Sequence, residues 1–478
     1  MADQSFANKV ASSVLYSGAA SVTSRLINAG ALFYTLKIIT EAQLGIAALA
    51  IALFDSIKSF TELGLGEALV QADKPAKIQI DSLFWMTFLL SVVVYGLLFL
   101  AAPFVASFYD TPELSAMVQV YMLAIVLYPI YMIPNKLLMK ELEFKKLAIV
   151  DNLTLVFSAG LMIFLAARGF GAWAIILAEL SNKFGQTVLC QLFLPYLPKF
   201  HYNYRKVKAL VQFGIYTTGS KFFKNFYMNA DYLIIGKVFS NQMLGIYSFA
   251  YRIVFDTVKE LASVINDVAF PTFSKLKTDL PRLRMYFYTI SRASMLLVGV
   301  LMIILGTYAD WILILTGYSK WLEAVPYMRI FVLVGIFQCL ITLLPKLLNA
   351  KGQAKLNFYY TMVNAILLPL GFLAASQISM MAVALSWFVL YPLASLVIIY
   401  FGAVLTGAGV IKFALKSFDA LIILIPLVLF SIGVRWGMEH LFQGIQWLGL
   451  GMAVALVAGV ASTVIWFKER KTIKVIRR

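Results

Sequence analysis

Apolar runs of membrane-spanning length recur along the whole chain, broken by glycine, proline and charge. Their spacing predicts about fourteen transmembrane helices of roughly 20 or more residues each. The first two cover approximately 10–36 and 43–70, and the seventh and eighth 209–236 and 242–271. These four are not uniformly apolar. Positions i, i+4, i+7 and i+11 share one face of a helix. Ser17, Ser21, Ser24 and Asn28 fall on such a stripe, with Arg25 beside it, and Asp55, Ser59, Glu62 and Gly66 form a second, adjoined by Lys58. Thr217, Lys221, Lys224 and Asp231 form the third; Arg252, Asp256, Lys259, Ser263 and Asn266, with Glu260 adjoining, form the fourth. Each of the four helices is expected to have one wet side.

The depth of these charges matters as much as their number. An ionised side chain costs roughly 2.5–3.5 kcal/mol at the centre of a membrane helix, and only those near helix ends can reach water by snorkelling. Arg25, Asp55, Lys58, Lys221, Lys224, Asp256 and Lys259 fall close to the midpoints of their spans. They must face a protein interior or a watery cavity. Asp55 with Lys58 and Asp256 with Lys259 are three residues apart and can neutralise each other in part. Interhelical ion pairing that only fixes packing is the plain alternative for each residue, although apolar side chains would pack at lower cost.

The second pair of spans repeats the first. Leu44-Gly45-Ile46 recurs as Leu244-Gly245-Ile246, and Phe54-Asp55-Ser56-Ile57-Lys58 as Phe255-Asp256-Thr257-Val258-Lys259. Tyr16, Gly18, Asn28-Ala29 and Lys37 likewise match Tyr216, Gly219, Asn229-Ala230 and Lys237, with the spacing held within one residue. Internal repeats in transporters place the substrate site where the halves meet. The expected division is a six-helix bundle over 1–197, a basic linker over 198–208, a second six-helix bundle over 209–405, and two extra helices with a basic tail over 406–478. Six spans per half give both halves the same orientation.

Composition fits this picture. Of 478 residues, 61% are hydrophobic and 13% charged, more apolar surface than a soluble chain of this length can bury. The net charge of +17 would suggest nucleic acid in a soluble protein. Here the excess sits in short connections, where the positive-inside rule is the commoner cause. With the N-terminus inside, about 26 basic residues fall on one side and about 5 on the other, so both termini are expected to be cytoplasmic. Trp173, Trp311, Trp321, Trp436 and Trp447 gather near the outer ends, as interfacial aromatics do. Cys190 and Cys339 lie within spans as buried thiols, and no His, Cys and acid cluster has metal-ligand spacing. Every connection is too short to fold as a separate catalytic domain.

Glu41-Ala42-Gln43-Leu44-Gly45-Ile46, Glu62-Leu63-Gly64-Leu65-Gly66-Glu67-Ala68-Leu69-Val70-Gln71, Ala269-Phe270-Pro271-Thr272-Phe273-Ser274-Lys275 and Asn349-Ala350-Lys351-Gly352-Gln353 resemble the polysaccharide transporter family. They are similar in particular to Wzx-type flippases and exopolysaccharide exporters of the multidrug/oligosaccharidyl-lipid/polysaccharide exporter superfamily. The resemblance implies an all-α polytopic protein of the bacterial inner membrane, with two six-helix bundles in a V and two C-terminal helices. It implies alternating access that moves an undecaprenyl-pyrophosphate-linked oligosaccharide between leaflets, with a polysaccharide polymerase and export machinery as expected partners. By position, Arg25, Lys221, Lys224 and Arg252 match the basic lumen of such proteins.

Physical chemistry independently suits that role. A pyrophosphate bearing sugars needs a wet cationic path, while its polyprenyl tail stays in lipid. Arg25, Asn28, Lys58, Lys221, Lys224, Arg252 and Lys259 are the candidate substrate contacts. Asp55, Glu62, Asp231, Asp256 and Glu260 are candidates for proton or sodium coupling and equally for ion pairing. No cofactor, metal or nucleic acid is expected. Two other readings compete: a drug or organic-cation antiporter of the same fold, which favours an acid-dominated cavity, and an integral-membrane glycosyltransferase or polymerase, which needs placed catalytic acids and larger loops.

Overall fold

The computed structural model describes residues 27, 30–62, 65, 66, 69, 76–141, 143–441 and 449–463, without the side chains of 206, 209–217, 263–268, 270, 271 and 354. Among them there is helix and connection but no strand. The elements in chain order are α1 (Glu41–Glu62), α2 (Lys77–Phe108), α3 (Glu113–Tyr121), α4 (Leu123–Lys140), α5 (Phe144–Ala167), α6 (Ala172–Phe193), α7 (Tyr204–Val238) and α8 (Asn241–Tyr251). A π-helical turn, Arg252–Asp256, leads into α9 (Thr257–Lys275) and α10 (Leu280–Leu315). A 3-10 turn, Ser319–Ala324, precedes α11 (Val325–Ile341), α12 (Leu343–Ala350), α13 (Ala354–Ser376), α14 (Met380–Leu405), α15 (Val410–Ser417) and α16 (Leu421–Leu441). The last described helix is α17 (Gly449–Thr463). Nine helical stretches among the described residues are long and apolar enough to cross a membrane. The chain is a multi-pass, all-α membrane protein.

The chain forms two compact units, one up to Gly245 and one from Ile246. α7 belongs to the first because it packs along α1 and touches α2. In the first unit α1 is central, with 67% of its apolar window buried, whereas α2 buries only 11%. The outer face of α2 exposes Leu89, Leu97, Leu100 and Phe104, as a helix solvated by acyl chains does. The segment after α6 is pinned back onto α2: Trp85 donates to the Lys199 carbonyl at 2.9 Å, and the Tyr196 hydroxyl donates to Asp81 at 2.6 Å. Burial, followed by that carboxylate contact, holds the Tyr196 phenol above the ordinary tyrosine range, so it remains a donor.

The repeat seen in the sequence has a local structural basis. Thr40 and Gln43 cap α1 reciprocally, Thr40 N–H donating to the Gln43 side chain at 3.0 Å and Gln43 N–H to the Thr40 hydroxyl at 3.2 Å. In the second copy Ser240 takes the same place, accepting the Met243 N–H at 3.2 Å. One turn on, Gly45 and Gly245 make reciprocal backbone contacts. A Cβ at Gly45 would meet the Asn241 carbonyl oxygen, and one at Gly245 would meet the Glu41 carbonyl oxygen. The two helix starts can approach this closely only because neither glycine has a side chain. The approach is held from the side by Asn241 donating to Thr111 at 2.9 Å and by Lys237 with Asp110 at 3.0 Å.

The register of the repeat then slips. Leu44 matches Leu244, an offset of 200, while Phe54 matches Phe255, an offset of 201. The extra residue is absorbed by the π-helical turn Arg252–Asp256, where a wider turn takes one more residue without breaking the helix.

In the second unit α10 is the long element, and it carries α16 along its length. Tyr308 has non-helical backbone angles (φ −113°, ψ 16°) where α10 bends, and its hydroxyl donates to the Ser431 carbonyl of α16 at 3.0 Å. Tyr308, Trp311, Met438 and Ala453 form an apolar cluster there. Trp321 lies in the 3-10 turn at a span end, and its ring is fully buried and stacks on Phe249 at 4.5 Å; Trp311 is also buried, while Trp436 is exposed.

Gly45→Ala and Gly245→Ala are each expected to lower stability by about 1–3 kcal/mol through overpacking against backbone. Gly433→Ala, whose added carbon meets open space inside α16, is expected to leave stability unchanged or raise it by up to about 1 kcal/mol. Thermal unfolding in detergent compares the three; equal midpoints would refute the close approach.

Candidate functional site

The polar stripe of α1 borders a cavity of about 230 Å³ within the first unit. Its walls are Phe54, Lys58, Thr61 and Glu62 from α1, Tyr128 and Tyr131 from α4, and Lys183, Gln186 and Thr187 from α6. Lys58 Nζ lies 2.6 Å from Asp55 Oδ1, with both side chains about one third exposed (36% and 34%), and 5.7 Å from the Phe54 ring centre. Gln186 donates to Asp151 of α5 at 3.4 Å. On the neighbouring side Asn225 of α7 donates to Ser59 at 2.7 Å, and Phe222 packs on Phe60 at 4.0 Å between ring centres. The stripe is thus flanked by the cavity and by α7. A space of this size takes several waters at ~30 Å³ each and is too small for a whole lipid-linked sugar.

Chemically the walls offer two ammonium groups, one carboxylate, phenols and an amide within one space. That set can bind a phosphate and hydrogen-bond sugar hydroxyls. It is more evenly balanced in charge than a purely basic lumen, since Asp55, Glu62 and Asp151 stand near Lys58 and Lys183.

The sequence-selected residues distribute as follows. Lys58, Asp55 and Glu62 come together on α1. Lys221 is half-buried and Lys224 exposed on α7, and Lys221 lies one turn from Asn225 on the same helix face. Asp231 is fully buried, its carboxylate accepting the Tyr232 N–H at 2.9 Å. In the second unit Arg252 and Asp256 bracket the π-helical turn, followed by exposed Lys259 and half-buried Glu260. Arg25 and Asn28 lie outside the described residues. Lys183, Gln186 and Tyr131 were not singled out from the sequence. Glu179, Lys183 and Gln186 do follow the i, i+4, i+7 spacing, so the stripe rule applied to the sixth span would have found two of these.

Other charged side chains, in the second unit, pair with one another. Arg292, without an obvious partner in the sequence, pairs with Asp419 at 2.8 Å. Arg435 makes a two-pronged contact with Asp310 at 2.9 and 2.7 Å, donates to the Thr307 carbonyl, and reaches Glu439 at 2.8 Å. Arg329 joins this cluster at 3.8 Å from Asp310. These pairs latch the ends of α16 onto α10. Among the described residues there is no group of three potential metal ligands, and Cys190 and Cys339 are free, buried thiols.

The chain is an all-α, multi-pass membrane protein with charged side chains around an internal cavity. More narrowly, the chain belongs to the polysaccharide biosynthesis protein family, whose pattern matches residues 37–326. It is 28% identical over 409 residues to the teichuronic acid biosynthesis protein TuaB of Bacillus subtilis, covering 83% of this chain and 82% of that one. It is 23% identical over 336 residues to the lipopolysaccharide biosynthesis protein WzxC of Escherichia coli, covering 69% and 68%. Its fold is similar to that of the lipid II flippase MurJ in an inward closed conformation, with a TM-score of 0.71 at 13% identity over 95% of this chain and 99% of that one.

Asp310→Asn is expected to destabilise the protein by about 1.5–3 kcal/mol, because a part-buried arginine loses its charged acceptor. Asp55→Asn, at a half-solvated pair, is expected to cost under about 1 kcal/mol. Unfolding midpoints of the two variants check the difference; equal losses would place Asp55 among the structural pairs.

Proposed function

We propose that the protein moves an undecaprenyl-pyrophosphate-linked oligosaccharide, a repeat unit of a surface polysaccharide, from the cytoplasmic to the outer leaflet of the bacterial inner membrane by alternating access. The observation that carries this reading is the lysine-bearing polar stripe of α1 beside a polar-walled cavity, in a member of the polysaccharide biosynthesis family. The likeness in fold to a lipid II flippase supports it. Lys58, Lys221, Lys224, Arg252 and Lys259, with Arg25 and Asn28, lower the barrier for the diphosphate. Hydroxyl, phenol and amide groups take the sugar hydroxyls, and the polyprenyl chain stays in lipid.

No bond is made or broken in this cycle. The repeat halves 1–197 and 209–405 act as the two bundles, α7 being the helix of the second half that lies along α1 of the first, with both termini on the cytoplasmic side. A carrier that binds its cargo equally in two states favours neither. Direction therefore comes from consumption of the flipped lipid by a polymerase and export machinery, or from proton or sodium binding at Asp55, Glu62, Asp231, Asp256 or Glu260.

Reconstitution in liposomes with a fluorescent lipid-linked oligosaccharide, read as accessibility on each leaflet, tests the proposal. Wild-type protein is expected to move the lipid unmodified. Lys58→Gln and Lys224→Gln are expected to slow it by roughly tenfold or more, the equivalent of one lost charge-assisted contact, with unfolding midpoints retained. A chemically altered glycan would make the protein an enzyme. Uptake of a cationic dye without lipid movement would make it a drug antiporter.

A further inference from the structure

The second unit holds a larger and more basic cavity, away from the polar stripes. It measures about 470 Å³ and is bounded by Arg284, Tyr288 and Arg292 of α10, Lys412 and Lys416 of α15, and Asp419. Four cationic side chains thus meet one carboxylate, and that carboxylate is already engaged by Arg292 at 2.8 Å. Arg284 is held in place by donating to the neutral Gly407 carbonyl at 3.1 Å, which leaves its charge uncompensated.

α15 explains where this cavity lies. It is too short to cross a membrane and joins two spans, α14 and α16, so it lies at a bilayer surface. Phe413 anchors it, fully buried and stacked on Phe287 of α10 at 5.1 Å. Ile411 and Leu415 are 78% and 70% exposed on another face. Lys412 and Lys416 share a third face, at i and i+4, and close the cavity. An amphipathic helix of this kind places exposed apolar side chains among acyl chains and its lysines at headgroup depth.

We propose that this cavity binds the headgroup of an anionic diacyl phospholipid. The phosphodiester sits between Arg284, Lys412 and Lys416, while the acyl chains run beside Ile411 and Leu415. A basic pocket between spans at the membrane boundary is suited to such a headgroup. The volume falls within the range of ligand sites and exceeds the needs of a lone phosphate. Exposed leucine and isoleucine beside the lysines favour a ligand with tails over a soluble anion. Bound there, the lipid clamps α15 to α10 and so secures the joint between α14 and the C-terminal helices. The leaflet follows from the orientation proposed above, but the lipid contact does not depend on that orientation or on the transport reading.

The test uses the full-length protein in neutral detergent, following the thermal unfolding midpoint during titration with phosphatidylglycerol, phosphatidylcholine, inorganic phosphate or undecaprenyl diphosphate. Wild-type protein and Lys355→Gln, which removes a cation elsewhere in the unit, are expected to gain stability with phosphatidylglycerol but not with phosphatidylcholine or inorganic phosphate; any gain from undecaprenyl diphosphate, which the polar stripe itself would bind, is expected to be the same with or without Lys412 and Lys416. The Lys412→Gln/Lys416→Gln variant is expected to unfold normally without lipid but to need roughly tenfold or more phosphatidylglycerol for the same gain. An equal response in that variant would overturn the proposal. So would stabilisation by inorganic phosphate alone, which marks a soluble-anion site, or a response to undecaprenyl diphosphate that is lost in the Lys412→Gln/Lys416→Gln variant, which marks a carrier site in this cavity. Transport of oligosaccharide is not read in this experiment, so its outcome and that of the flippase assay are separable.

Discussion

Ionised side chains inside apolar helices are the constraint from which most of this structure follows. Each must find an opposite charge or water, because hydrocarbon offers neither. The described part of the protein meets that demand in two ways. Arg292 with Asp419, and Arg435 with Asp310, are closed pairs between helices, and they hold α16 to α10. Asp55 with Lys58 is an open pair within one helix, left a third exposed beside a cavity. The closed pairs make a joint and the open pair makes a wet surface. Part-buried charges of the first kind are weak contributors to net stability but costly to break singly.

The internal repeat shows how the same sequence pattern serves two local purposes. Thr40 and Ser240 begin equivalent helices, and Gly45 and Gly245 let those beginnings touch through backbone. Beyond that contact the copies diverge by one residue, and the π-helical turn at Arg252–Asp256 takes up the difference. The turn sits where the second copy carries its charges.

Some features were legible in the chain alone and others were not, for identifiable reasons. The stripe containing Asp55, Lys58 and Glu62 could be read because helical period alone places them together. Lys183 and Gln186 followed the same rule, yet stood in a span with fewer charges to draw attention. Trp321 could be placed near a span end from the sequence, but its burial against Phe249 could not, because the two are far apart in the chain. Arg292 and Asp419 are 127 positions apart, and no local pattern connects residues at that distance.

By itself the sequence determined the all-α membrane class, the approximate number of spans, the repeat and the polar face of α1. All of these depend on hydropathy and on the period of a helix, which are properties of neighbouring residues. Tertiary structure alone decided which polar face meets which partner: α7 on α1, Lys183 across from Lys58, Asp310 under Arg435, and α15 folded over Arg284. The reason is geometric. A helix has one polar face but many possible neighbours, and only the packing of side chains from distant parts of the chain selects among them.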